Sequence, residues 1–214
     1  MKELYSSYRH FPLRESRRGF TMTEIAIVLG IIGLVLASIW LVAGRVTEDN
    51  NINQAVQELQ TVSQNIITLE QNRPFLVAAG TDVTTAMINA SAIPTAMISG
   101  GAAGNPWNPV GFKVWAVGSL TFRISFYNVP LDACIALATQ GTACDPTQPG
   151  CPTKVWTGGS AGTFTGAGSP NKTYAAGPPA LWQLTPVVAD TALCSSNTNS
   201  PPAAPNSIEF DFSL

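Results

Sequence analysis

The chain has 214 residues, enough for one or two domains with a sizeable core. Hydrophobic residues make 45% of it, but charged ones only 11%, against about 25% in ordinary globular chains. Eleven Lys and Arg against thirteen Asp and Glu leave a net charge of −2, so no basic excess exists to neutralise phosphates and direct nucleic-acid binding is not expected.

Residues 1–19 form a basic leader, with Lys2, Arg9, Arg14, Arg17 and Arg18 against Glu3 and Glu15. Residues 25–43 then run without a charge, Ser38 being the polar exception. A helix of that length measures roughly 28 Å, about the hydrocarbon thickness of a bilayer. The basic cluster precedes it and Arg45 follows closely, which leaves the N-terminus cytoplasmic and the C-terminal bulk outside.

Past the apolar run the pattern turns amphipathic. Ile52, Ala55, Val56, Leu59, Val62, Ile66 and Leu69 recur at steps of three and four, while Glu48, Asp49, Asn53, Gln57, Gln60, Gln64 and Glu70 occupy the opposite face. No proline interrupts residues 20–73, so one helix is predicted from about Thr21 to Asn72, its second half laying one face on a core.

The remaining 141 residues, 74–214, hold fifteen of the sixteen prolines and only ten charges. A short helix is predicted over 82–90, capped by Thr81 or Asp82. Residues 112–117 and 120–127 read as a hairpin with one buried face, Gly118-Ser119 suiting a type II′ turn. Residues 130–140 read as a helix stopped by Gly141, and 208–214 as a last alternating strand. Residues 142–207 are rich in Gly, Ser, Thr and Pro and read as surface loops. Trp107 and Trp115 are the tryptophans expected in the core.

Catalytic and metal chemistry finds little support. The single histidine, His10, lies in the leader, and the four cysteines have no C-x-x-C spacing. Gly158-Gly159-Ser160-Ala161-Gly162 fits the G-x-S-x-G nucleophile pattern, but no apolar strand precedes it, and loss of the leader removes the histidine a triad needs. Asn89-Ala90-Ser91 and Asn171-Lys172-Thr173 are formal glycosylation triplets. No cofactor, metal or enzymatic activity is expected.

The junction Arg17-Arg18-Gly19-Phe20-Thr21-Met22-Thr23-Glu24 admits three readings. A cleaved secretory signal ending at Val42-Ala43-Gly44 would release a soluble binding domain, but its apolar run exceeds the usual 7–15 residues. Ser16-Arg17-Arg18-Gly19-Phe20 fits a twin-arginine signal, which neither the hydrophobicity nor Glu24 suits. The third reading accounts for Glu24: a carboxylate at the mouth of an apolar helix is costly in lipid and is kept to meet a cation. A cut between Gly19 and Phe20 would create an α-amino group on each copy, to pair with the Glu24 of a neighbour.

Arg18-Gly19-Phe20-Thr21-Met22-Thr23-Glu24 before a long apolar helix resembles a type IV prepilin: basic leader, Gly, cleavage, Phe, and Glu at the fifth mature position. The nineteen-residue leader, Asn105-Pro106-Trp107, Asp132-Ala133-Cys134-Ile135, and Cys194 ahead of Ser207-Ile208-Glu209-Phe210-Asp211-Phe212 are similar to the type IVb, toxin-coregulated pilin group. Phe20 itself is the type IVa choice.

The resemblance implies an α+β pilin fold, a long N-terminal helix packed on an antiparallel sheet with a disulfide-bounded C-terminal region. Its divisions would be a cleaved leader at 1–19, the helix at 20–73 with 25–43 as membrane span and filament core, and a head domain at 74–214. It also implies cleavage at Gly19/Phe20 by a prepilin peptidase, N-methylation of Phe20, and an assembly role for Glu24. The partners would be other copies in a helical homopolymer, the inner membrane before assembly, and an assembly platform with its ATPase. The end point would be an extracellular pilus serving adhesion, aggregation or conjugation; a secretion-system pseudopilin is the rival. Four cysteines allow three connectivities. The resemblance implies Cys134–Cys194, leaving Cys144 and Cys151, close in sequence, as the second pair.

Overall fold

The computed structural model describes residues 20–70, 75, 77–144, 150–157, 172–175, 194 and 206–214. The chain divides into two compact units, 1–45 and 46–214. Helix α1, Met22–Glu70, contributes to both, as a proline-free stretch with few internal breakers should.

In the second unit, α1 buries Ile52, Ala55, Leu59, Val62 and Ile66, the 3–4 spacing expected of one core-facing stripe. These side chains join a core with Phe112, Val114 and Ala116 of strand β4 (Phe112–Gly118), Phe122, Ile124 and Phe126 of β5 (Thr121–Val129), and Ile208, Phe210 and Phe212 of the last strand. The result is the expected α+β arrangement, with a long N-terminal helix on an antiparallel sheet. Leu69, assigned to the same stripe by its spacing, is exposed.

Between α1 and β4 lie the short strand β1 (Thr81–Asp82), helix α2 (Thr84–Asn89), a 3-10 turn at Thr95–Met97 and the small ribbon β2 (Ile98–Ser99) and β3 (Ala102–Ala103). Helix α2 starts two residues later than predicted, because Thr81 and Asp82 pair with Ala116 and Trp115 of β4. The Asp82 carboxylate still accepts from the Thr84 N–H at 2.9 Å, acting from inside the strand.

Helix α3 (Leu131–Gln140), β6 (Lys154–Thr157), β7 (Lys172–Ala175) and β8 (Asn206–Ser213) complete the chain. The six-stranded sheet has the order β1-β4-β5-β8-β6-β7, so the C-terminal strand lies in the interior of the sheet. The pairs β1·β4, β4·β5, β5·β8, β6·β8 and β6·β7 are all antiparallel.

Three expectations need correction. The hairpin turn is Ser119-Leu120, with Gly118 opposite Thr121, because a bulge between Ala116 and Gly118 moves the register by one; Gly118 lacks the positive φ that a type II′ turn demands. The hairpin buries both faces: Arg123, Ser125 and Tyr127 are as inaccessible as Phe122 and Ile124. The tract 142–207 contains two strands, since β6 obtains a partner from β8 that its local composition does not announce. Gly141 does end α3, as expected; it takes a right-handed conformation, φ −66°, and its need for glycine is steric. A Cβ there would lie 2.6 Å from the Leu137 carbonyl oxygen and 3.1 Å from both Leu59 and Phe210.

Cys134 is bonded to Cys194, sixty residues apart, and Cys144 to Cys151, seven apart. The first bridge is buried, with both cysteines in the core cluster.

Candidate functional site

The N-terminal segment is the candidate site, and two features define it. The first is a set of reciprocal hydrogen bonds around Glu24. The Thr21 N–H donates to Glu24 Oε2 at 2.9 Å, and the Glu24 N–H donates to Thr21 Oγ1 at 3.3 Å. The Thr21 hydroxyl also donates to Glu24 Oε2, at 2.9 Å. This is a capping box, T-x-x-E, in which Ncap and N3 satisfy each other's orphan backbone donors. The spacing Thr21-Met22-Thr23-Glu24 announces it in the sequence, independently of the cost of the carboxylate in lipid. Glu24 thus has a local partner in the single chain and stands in the first turn, where a negative charge also suits the helix dipole.

The second feature is the apolar helix that follows. It is long and apolar enough to cross a membrane, and none of its most apolar eighteen-residue window is buried in the single chain. Phe20 ahead of it is 79% exposed, as is Trp40 near its far end. The side chains of Ile25, Ile32, Leu36 and Ile39 are also exposed, a surface far beyond the few hundred Å² that a soluble monomer ordinarily shows. Such a stretch needs a covering of lipid or protein.

Gly19 lies outside the described residues, as do the G-x-S-x-G tract and Asn171. Asn89 ends α2, and Ser91 of the same triplet takes φ 59°. Among the described residues no group of three or more His, Cys, Asp or Glu is placed to hold a metal. Trp115 is buried, whereas Trp107 is partly buried and donates its indole N–H to Glu48 at 3.1 Å. Glu48, which its spacing places on the polar stripe, is therefore partly buried and engaged with the fold.

A buried polar constellation lies within the head and was invisible in the pattern. Arg123 is 2% exposed and is forked between Glu209 and Asp211, 1% and 5% exposed. Its Nη1 donates to Glu209 at 3.0 Å, its Nη2 to Asp211 Oδ2 at 3.0 Å, and its Nε to Asp211 Oδ1. Trp156 donates to Asp211 at 2.7 Å and presents its ring to the guanidinium at 4.5 Å, while the Tyr127 hydroxyl donates to Glu209 at 3.4 Å. Burial, with the Glu209 charge second, pushes the Tyr127 hydroxyl well above the usual phenol range, so it remains a donor. Alternation had assigned all these side chains except the tryptophan to a polar outer face. With every member engaged, the cluster serves as an internal fastener across three strands.

No family model matches the chain, and no curated protein matches it in sequence. Among solved structures it is similar to TcpA, a type IV pilin from Vibrio cholerae El Tor biotype, at 16% identity, with 77% of this chain and 99% of that one covered and a TM-score of 0.49.

Proposed function

We propose that the chain is a structural subunit of a type IV pilus, of the type IVb branch, made as a membrane-anchored precursor and built into a helical extracellular filament. The observation that carries this reading is the junction Arg18-Gly19-Phe20-Thr21-Met22-Thr23-Glu24 opening directly onto an apolar helix with no cover of its own. A prepilin peptidase cuts between Gly19 and Phe20 and Phe20 is N-methylated. The membrane covers residues 25–43 before assembly; neighbouring copies of the same helix cover them afterwards. The contact is heterologous and does not close, so one kind of subunit yields a fibre.

Glu24 acts at the moment of transfer. On entering the filament it exchanges part of its capping box for the α-amino group of a neighbour's Phe20, so that neither charge is buried alone. The head, residues 74–214, presents loops outward for adhesion, aggregation or conjugation, and the assembly platform with its ATPase supplies the work.

N-terminal sequencing of the membrane and sheared-surface fractions, with electron microscopy of the latter, tests the reading. A mature terminus of Phe20-Thr21-Met22-Thr23-Glu24 and visible filaments are expected. A terminus at Arg45 would overturn the reading.

A further inference from the structure

We propose that the Cys144–Cys151 bridge is a thiol-exchange site, open through a neighbouring cleft to small carboxylate-bearing thiols of the cysteine or glutathione class. The inference goes beyond the pilus reading and does not depend on it.

The two bridges of the head differ in access. Cys134 and Cys194 are 0% and 2% exposed within the core, whereas Cys144 and Cys151 are half-buried and line a cleft of about 270 Å³. That volume is close to the ~300 Å³ at which small-molecule sites begin. Helix α1 walls the cleft with Gln60 and Gln64, the end of α3 with Gln140, and β8 with Phe212. Access governs exchange, because an attacking thiolate must reach a sulfur of the bridge. Among the described residues no charged side chain lines the cleft, so no carboxylate there repels a thiolate. The exposed carboxamides of Gln60 and Gln140 can donate to the carboxylate of the incoming thiol.

The fold on either side holds without this bridge. Before it, the buried Thr142 hydroxyl donates to the Ala138 carbonyl of α3 at 2.6 Å. After it, the Thr153 N–H donates to the Asp211 carbonyl of β8 at 2.6 Å. The bridge itself spans only seven residues, so it constrains the unfolded chain far less than one spanning sixty. Opening it therefore leaves α3 and β8 in place, and exchange is reversible.

The chemistry needs no reagent besides the thiol. Its thiolate bonds to one sulfur of the bridge as the bond between Cys144 and Cys151 breaks, and the expelled cysteine leaves as a thiolate that takes a proton from water. The product is a mixed disulfide. A second thiolate attacking the small-thiol sulfur of that adduct frees both cysteines and carries away the oxidised thiol dimer.

The test uses the full chain in detergent with both disulfides intact, exposed to graded reduced glutathione, quenched by alkylation and mapped by mass spectrometry. Adduct or alkylation at Cys144 and Cys151 is expected at least roughly tenfold faster than at Cys134 and Cys194, with the urea midpoint of the head nearly unchanged. Equal rates at the two bridges, no opening at Cys144 and Cys151, or unfolding of the head on their opening would each overturn the proposal. Gln140→Trp and Gln60→Trp place a bulky ring at exposed positions of the cleft and are expected to slow the reaction at Cys144 and Cys151 several-fold. Unchanged rates in both variants would overturn the cleft as the route.

Discussion

Thr21 and Glu24 satisfy each other's backbone donors at the start of α1, so Glu24→Val removes a helix cap and a charge at once. Glu24→Gln separates the two, because an amide at N3 still accepts from the Thr21 N–H. If the proposed pairing with a neighbour's amine is what assembly needs, both variants insert in the membrane and lose their leader yet yield no shearable filament. Only the Gln variant keeps slow hydrogen exchange at Thr21. Native amounts of filament from Glu24→Gln would reduce the carboxylate to a cap.

Arg123 raises a parallel question in the head. Arg123→Met leaves Glu209 and Asp211 buried without their cation, which costs about 3–5 kcal/mol by comparison with other broken buried pairs. Replacing the three residues together with Met, Leu and Leu is expected to recover part of that loss, the remainder being the orphaned Trp156 and Tyr127 donors. Urea midpoints of the two variants in detergent give the comparison. Its value to the fold is register. Arg123 lies directly opposite Asp211, and sliding β8 by one residue would set the guanidinium against phenylalanine.

At the level of elements, the two disulfides do unequal work. Cys134–Cys194 ties α3 to the chain just before β8 and closes a loop of sixty residues, worth roughly 4 kcal/mol in the chain-entropy description. Cys144–Cys151 closes seven. Cys134→Ser is therefore expected to make the head protease-sensitive and to deplete subunits, while Cys144→Ser remains close to native in the same digestion series. Gly141→Ala tests how closely α3 approaches α1 and β8. Its methyl group would enter a space bounded by Leu137, Leu59 and Phe210, and a loss of about 1–3 kcal/mol is expected from overpacking. A helix-favouring alanine that instead stabilised α3 would show that the three neighbours yield.

For the molecule as a whole, acid acts on the surface pair that holds β1 to β4. Asp82 accepts from Lys113 at 2.7 Å and from Thr84, and these bonds, together with the Lys113 charge, outweigh burial and hold its carboxyl below the usual aspartate range. Because the folded value is depressed, the contribution is complete above the unfolded value of about 3.9 and is lost as pH falls through the folded one. Both partners are about one-third exposed, so solvent screens the pair and it is worth at most ~1 kcal/mol. Lys113→Met should lower the melting temperature at neutral pH and converge with the native protein once the pH falls below the depressed folded value. A gap that persists in strong acid would assign the effect to packing of the lysine stem.

What the sequence determined by itself is local or periodic. The helix from Thr21 onward, the apolar run, the buried stripe of Ile52, Leu59, Val62 and Ile66, and the paired strands around 112–127 all follow from spacing within a few turns or a few residues. The capping box belonged to the same class and was equally legible in T-x-x-E. The tertiary structure alone decided what depends on partners far along the chain. Strand β8 comes from the C-terminus yet lies between β5 and β6, so Glu209 and Asp211 are covered on a face that alternation assigns to water. A carboxylate looks the same in sequence whether it meets solvent or, as Asp211 does, a guanidinium 88 residues away. β6 and the steric role of Gly141 were hidden for the same reason: a strand needs a neighbour to bond, and a glycine needs a neighbour to approach, and neither neighbour is adjacent in sequence.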